Sequence, residues 1–169
     1  ACMLCGLGFD AQVAHDFAND HRRGLMTYIR KVAKHFFSAP AYPFTIYVND
    51  VRIDTEAFLI SLANSNQFGN NFTIAPKASL TDGLLDIVVV TRQNRLSMVL
   101  QTLRQVVGYN TLQEINGLNR LAGVTYFQAE ALRIENPGHA PLHRDGDPAE
   151  TAAVIDVQIL KGAFRLIYP

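Results

Sequence analysis

The stretch FTIYVNDVRIDTEAFLISLA, Phe44–Ala63, sets the fold. Phe44–Asn49 alternates apolar and polar side chains, the period of a strand that buries one face. Asn49-Asp50 marks a turn, because short polar side chains tolerate the backbone a tight reversal needs, and Ala57–Ala63 is the expected return strand. Outward from it, Asn64–Asn71 (NSNQFGNN) is polar and turn-rich and reads as a loop. Phe72–Ala75 reads as a short strand, Lys77–Gly83 as a loop and Leu84–Thr91 as a buried β-branched strand. Val124–Glu135, Ala153–Leu160 and Phe164–Tyr168 are strand-like as well, and Asn136–Glu150, rich in Pro, Gly and charge, reads as the loop between them.

Helical spacing is confined to a few segments. Asp10 can cap a short helix running through Asp16 and Phe17. Leu25, Tyr28, Ile29, Val32, Ala33 and Phe36 repeat at helical intervals, as do Leu96, Val99, Leu100, Leu103, Val106 and Val107 behind a capping Asn94. Thr111-Leu112-Gln113-Glu114 has the form of a capping box. Strands dominate without alternating regularly with helices, which argues against a parallel βαβ sheet. The expected fold is mainly β (α+β), an antiparallel β-sandwich with three or four peripheral helices.

The 169 residues suit one domain. Fifteen Lys and Arg balance fifteen Asp and Glu, which argues against a dedicated nucleic-acid binder. No apolar run approaches the roughly 18–20 residues that span a bilayer, so a soluble, globular, intracellular protein is expected. The chain opens in an apolar run, Ala1–Phe9, with no starting Met, and is expected to be cut from something longer. Cys2 and Cys5 stand three apart without a second pair, so small buried strand residues are a better reading than a redox or zinc motif.

Four places could carry chemistry. Gly6-x-Gly8-x-x-Ala11 matches a loose dinucleotide fingerprint, but the helix and antiparallel-looking strands downstream favour a tight strand-to-helix turn. Asp82-Gly83-Leu84-Leu85-Asp86 places two acids around a permissive Gly, which suits either a hard cation or a turn before a buried strand. Arg144-Asp145-Gly146-Asp147-Pro148 could supply a general base or hold a metal beside a phosphate-bearing substrate, or be a solvated turn. His139 and His143 flank it without a recognisable metal spacing. Arg22, Arg23, Arg30, Lys31 and Lys34 form a basic cluster that could meet anionic lipid or simply be a wet helix face.

Taken in order, Gly6-Leu7-Gly8-Phe9-Asp10-Ala11, Tyr28, Ala63-Asn64, Phe68-Gly69, Ile74-Ala75-Pro76-x-Ala78-x-Leu80-x-Asp82-Gly83-Leu84-Leu85-Asp86 and Asp145-Gly146-Asp147 form one pattern. It resembles, nearly end to end, the C-terminal domain of the diacylglycerol kinase catalytic family, which includes bacterial lipid kinases, sphingosine kinases and ceramide kinases. The resemblance implies that residues 1–169 are the lipid-binding β-sandwich of a two-domain kinase. ATP would be bound mainly by an N-terminal domain with a Gly-Gly-Asp-Gly-Thr loop, which is absent from this chain.

The same resemblance implies that Asp145 is the general base accepting the proton of a lipid hydroxyl as it attacks the γ-phosphate. An ordinary aspartate, near pKa 3.9, is a weak base at pH 7, so it would orient the hydroxyl and take the proton late. Asp147 stands where the family has Glu, one methylene shorter. A structural Mg²⁺ would be held by the Asp82 side chain and the Ser79 and Leu84 carbonyls. Asn64-Ser65 and Gly69-Asn70 replace the Asn-Gly and Gly-Gly pairs of the polar loop. The implied partners are a membrane lipid such as diacylglycerol, met peripherally from the cytoplasm, the chain's own nucleotide domain and, through a cut apolar face, a second copy. The fragment alone is expected to be inactive. The alternatives are a non-catalytic lipid-binding sandwich and, with least support, a dinucleotide-dependent oxidoreductase.

Overall fold

The computed structural model describes residues 3–18, 39–66, 74–106, 112–114 and 121–165. Among them nine antiparallel strands form one hydrogen-bonded sheet, curled into a half-barrel, with two helices on its outside. The expected mainly antiparallel β fold is therefore what the chain adopts. The helix expected over 25–36, the basic cluster from Arg22 to Lys34, Cys2, the loop positions 67–71 and Tyr28 lie outside the described residues, and of the capping-box segment only 112–114 fall within them.

The long strand β3 (Val51–Ala63) organises the sheet. Thirteen residues extend about 40 Å, so one strand can serve two neighbourhoods. Its first half pairs with β2 (Tyr42–Val48) and its second half lies between β1 (Leu4–Gly8) and β4 (Leu85–Thr91). The register slips between Ala57 and Leu59, where the strand passes from one set of partners to the other. Beyond β2 come β6 (Ala131–Glu135) and the edge strand β9 (Val154–Gln158); beyond β1 come β7 (Leu142–Arg144) and β8 (Asp147–Ala149); β5 (Val124–Ala129) pairs with β4.

Both faces of the central strands are buried, which is why β4 reads LDIVVVT rather than alternating. Leu85, Ile87 and Val89 join Leu7, Phe44, Ile46, Ile60, Phe127 and Ile134 inside the curl. Val88 and Val90 join Phe9, Val13, Phe58, Met98 and Tyr126 on the outer face. There α1 (Phe9–Ala18) and α2 (Arg95–Val106) supply the cover, with Phe9 stacked on Phe58 at 4.6 Å. Each fully buried aliphatic side chain contributes roughly 1.5–3 kcal/mol over an exposed one. Asn94 caps α2 as expected, its Oδ1 accepting the Leu96 amide at 2.9 Å.

Five elements differ from expectation, the first being that Ile74 and Ala75, the described part of the short strand expected over Phe72–Ala75, are not in a strand. The return strand begins at Val51, directly after Asn49 and Asp50, whose positive φ (47° and 63°) makes the two-residue mirror-image turn. Val124–Glu135 is two strands, broken at Glu130, because β5 pairs with β4 whereas β6 pairs with β2 and β9. The expected loop Asn136–Glu150 contains the β7–β8 hairpin, whose pairing comes from β1 rather than from any run of its own. Phe164 and Arg165 are not in a strand.

Candidate active site

The β7–β8 hairpin turns at Asp145-Gly146, both with positive φ (53° and 89°), while Arg144 pairs with Asp147 across it. This is the mirror-image turn that Asp-Gly favours, since Asp tolerates the left-handed region and Gly enters it freely. The turn is then tied to a strand some 140 positions away. Asp145 Oδ1 accepts the Met3 and Leu4 amides, each at 2.9 Å, and the Asp145 amide donates to the Leu4 carbonyl at 2.8 Å. Asp145 is exposed, and so is Asp147, whose side chain makes no hydrogen bond among the described residues.

Behind the turn lies a polar group that residue spacing did not disclose. His143, on β7, is 0% exposed. Its Nδ1 accepts the Gly146 amide at 3.2 Å, and its Nε2 stands 3.4 Å from Asp10 Oδ2. As expected of a residue that serves the start of α1, Asp10 Oδ1 takes the first-turn Ala11 amide at 2.8 Å, while Oδ2 faces the histidine. Gly6 pairs with His143 across β1 and β7, and a Cβ there would lie 2.1 Å from Asp10 Oδ2 and 2.5 Å from His143 Nε2. Gly8, at φ 89°, turns from strand to helix where a Cβ would meet the Phe58 carbonyl at 2.5 Å. The Gly-x-Gly spacing thus has a full steric account without a dinucleotide. The clue in the sequence was one glycine, Gly6, placed opposite His143, legible only once β1 and β7 are known to pair.

Cys5 sits beside this cluster, opposite Arg144. Burial first, and the Asp10 charge second, push its thiol up to about 11. That is the opposite of what a redox or metal-binding cysteine needs.

Asn64 lies at the same end of the sheet. Its amide donates at 2.8 Å to the carbonyl of Met3, the residue whose amide Asp145 accepts. Asn64 and Asp145 are therefore brought together around the start of β1.

The second acidic loop is separate. Asp82 Oδ1 accepts the Leu84 amide at 3.0 Å, and Ser79 Oγ meets Thr81 Oγ1 at 3.1 Å, both bonds internal to the loop. Asp86 points elsewhere: it is 0% exposed and accepts from the Tyr126 hydroxyl and from Gln128 Nε2. Burial raises its carboxyl above the usual range, and those two hydrogen bonds oppose the shift. Burial and the Asp86 charge likewise raise the Tyr126 phenol, whose oxygen also accepts the Lys77 amide at 3.2 Å. Of the two acids in the Asp82–Asp86 pair, only Asp82 is available to a cation. No group of three or more His, Cys, Asp or Glu gathers around a metal position among the described residues.

Asp145 and Asp82 share one rim, because β7 ends where β1 and β4 begin and β3 ends. Three strand spacings separate β7 from β4, about 14 Å. A groove of about 770 Å³ lies at the other end of β3, lined by Tyr47–Val51, Ala131–Arg133 and Asp156–Gln158, and contains none of these residues. No helix among the described residues is long and apolar enough to cross a membrane.

A family model described as "YegS C-terminal NAD kinase beta sandwich-like domain" matches residues 4–168. "Probable lipid kinase YegS-like" of Shewanella frigidimarina (strain NCIMB 400) is 26% identical over 137 residues, 78% of this chain and 41% of that protein. The solved structure of a diacylglycerol kinase from Bacillus anthracis str. Sterne superposes with a TM-score of 0.60 at 16% identity, over 96% of this chain and 47% of that one. Another structure from that strain, provisionally given the same name, reaches 0.65 at 18% identity, over 96% and 50%. The chain spans about half the length of these relatives or less, and the solved structures share its fold.

Proposed function

Because the chain belongs to the YegS C-terminal NAD kinase β-sandwich-like family, we propose that it is the C-terminal domain of an ATP-dependent lipid kinase, phosphorylating a hydroxyl of a membrane lipid such as diacylglycerol. The observation that carries the reading is Asp145, an exposed carboxylate at a tight turn whose backbone and Oδ1 are tied to β1. A base fixed in this way is presented from a rigid sheet rather than from a loose loop, which is what positioning a hydroxyl for in-line attack demands. As the lipid oxygen bonds to the γ-phosphorus and the bond to the ADP oxygen breaks, the hydroxyl proton passes to the Asp145 carboxylate. Asn64 supports that end of β1 through the Met3 carbonyl. Asp147 adds a second charge at the hairpin.

The Asp82 carboxylate with the Ser79 and Leu84 carbonyls is a donor set suited to a hard cation that keeps part of its water. These residues would hold Mg²⁺, whose charge would order the loop. The rim carrying Asp145 and Asp82 would face the nucleotide-binding domain, which supplies most of the ATP site, so the isolated chain would be inactive. The whole protein would meet the membrane surface peripherally from the cytoplasm, with no nucleic-acid partner; the domain face left exposed in the isolated chain could pair two copies.

The test is transfer of labelled γ-phosphate from Mg·ATP to a lipid panel by the full-length protein, wild type beside a folded Asp145→Asn. We expect one lipid class to be labelled and the rate to fall about 10²–10⁴-fold in the variant. Label that survives in Asp145→Asn removes Asp145 as the base. Lipid binding without any ATP turnover at full length would support the non-catalytic sandwich instead.

A further inference from the structure

The buried pair behind the Asp145 turn has a chemistry of its own. A backbone amide can only donate, so His143 Nδ1, which receives the Gly146 N–H, carries a lone pair. The ring proton then sits on Nε2, where it faces Asp10 Oδ2. One side of the imidazole reads the turn and the other reads the first turn of α1. The Asp10 side chain is only 12% exposed, and Gly6 is bare so that the pair fits between β1 and α1. Gly146 is the residue after Asp145, and the peptide plane joining them sets where the Asp145 side chain starts. Asp145 is in the left-handed region that the first central position of this turn requires and that Asp tolerates, so the direction of its side chain follows the geometry of the turn.

We propose that His143 and Asp10 are positioning residues for Asp145: His143 in its Nε2–H form, oriented by Asp10, grips the Gly146 amide and so aims the carboxylate of the turn. The inference rests on Asp145 being the base of the lipid kinase. Neither residue touches substrate. Their effect falls on the catalytic rate and leaves the binding of ATP and lipid alone, because the turn is displaced rather than removed.

Two isosteres separate the halves of the imidazole. In His143→Asn the amide oxygen lies near the place of Nδ1 and can still accept from Gly146. In His143→Gln the longer side chain reaches the place of Nε2 and serves Asp10 instead. In the full-length enzyme, with folding of each variant confirmed by thermal melt, His143→Asn should keep kcat within about threefold of wild type, whereas His143→Gln should lose about tenfold or more with KM unchanged. Asp10→Asn, which still accepts from Nε2–H, should resemble His143→Asn, and Asp10→Leu should resemble His143→Gln. Equal kcat in all the folded variants, or equal losses for Asn and Gln at position 143, would overturn the proposal. A wild type that labels no lipid, or an Asp145→Asn that labels as well as wild type, would sink the base assignment instead. A readout independent of turnover is the ¹⁵N spectrum of the histidine rings in the full-length protein. His143 should show a bare Nδ1 and a protonated Nε2, and a proton on Nδ1 ends the proposal whatever the activity.

Discussion

Asp145-Gly146 and Asp82-Gly83 are the same dipeptide on the same rim of the sheet, and they are held in different ways. The first is bound by partners remote in sequence: the Met3 and Leu4 amides, the Leu4 carbonyl, and His143 backed by Asp10. The second is bound mainly within itself, through Asp82 to the Leu84 amide and Ser79 to Thr81. Its fixed point lies several residues earlier, where Tyr126, tied to Asp86, takes the Lys77 amide. A turn locked into a sheet suits a group that must be aimed. A turn that closes on itself is better suited to being completed by something else, such as a cation or a neighbouring domain.

Glycine substitutions sharpen the contrast most. Gly6→Ala drives a methyl group into Asp10 and His143, two short side chains with nowhere to go, and should cost about 3 kcal/mol in denaturant unfolding. Gly83→Ala meets only the Lys161 side chain, whose outer methylenes can swing aside, so the cost is mainly that of φ 73°, about 1 kcal/mol. Equal costs would break the distinction.

The thiol beside the first turn gives a pH test. With its ionisation raised from 9.0 to about 11, Cys5 should be alkylated at pH 8 about 100-fold more slowly than a free thiol, measured in a Cys2→Ser background. The rate should climb as pH approaches that value. The unfolded thiol ionises first, so the Cys5 contribution to stability is complete below pH 9 and is lost as pH rises through 11. Alkylation at the free-thiol rate would mean that β1 opens readily.

The smallest effect separates the aspartates themselves. Asp145→Ala strips acceptors from two amides and should cost about 1.5 kcal/mol. Asp82→Ala removes one local bond on an exposed loop and should stay near 0.5 kcal/mol. A loss at Asp82 as large as that at Asp145 would show that its loop, too, is part of the rigid frame.

Much of the fold is legible in the order of residues alone. The alternation in Phe44–Asn49, the Asn49-Asp50 turn and the Leu84–Thr91 run each name their own conformation, because period and turn chemistry act within a few residues. Both aspartate turns are visible for the same reason. The β7–β8 hairpin is not, since its strands of three residues each are too short to carry a period, and β7 becomes a strand by pairing with β1 and β8. Asp10 is readable as a helix cap and His143 as a flanking histidine, but nothing within ten residues of either points to the other.

The β-rich class, the positions of the turns and the candidate aspartates follow from the residue order, because they depend on neighbours along the chain. What those aspartates do in the fold depends instead on long-range packing. Packing joins Asp145 to β1, sets Asp10 against His143 across 133 positions and turns Asp86 inward to Tyr126 and Gln128. Most of these polar contacts are buried or part-buried, and they form because burial removes water and leaves a donor or acceptor to be satisfied by whatever strand packs beside it.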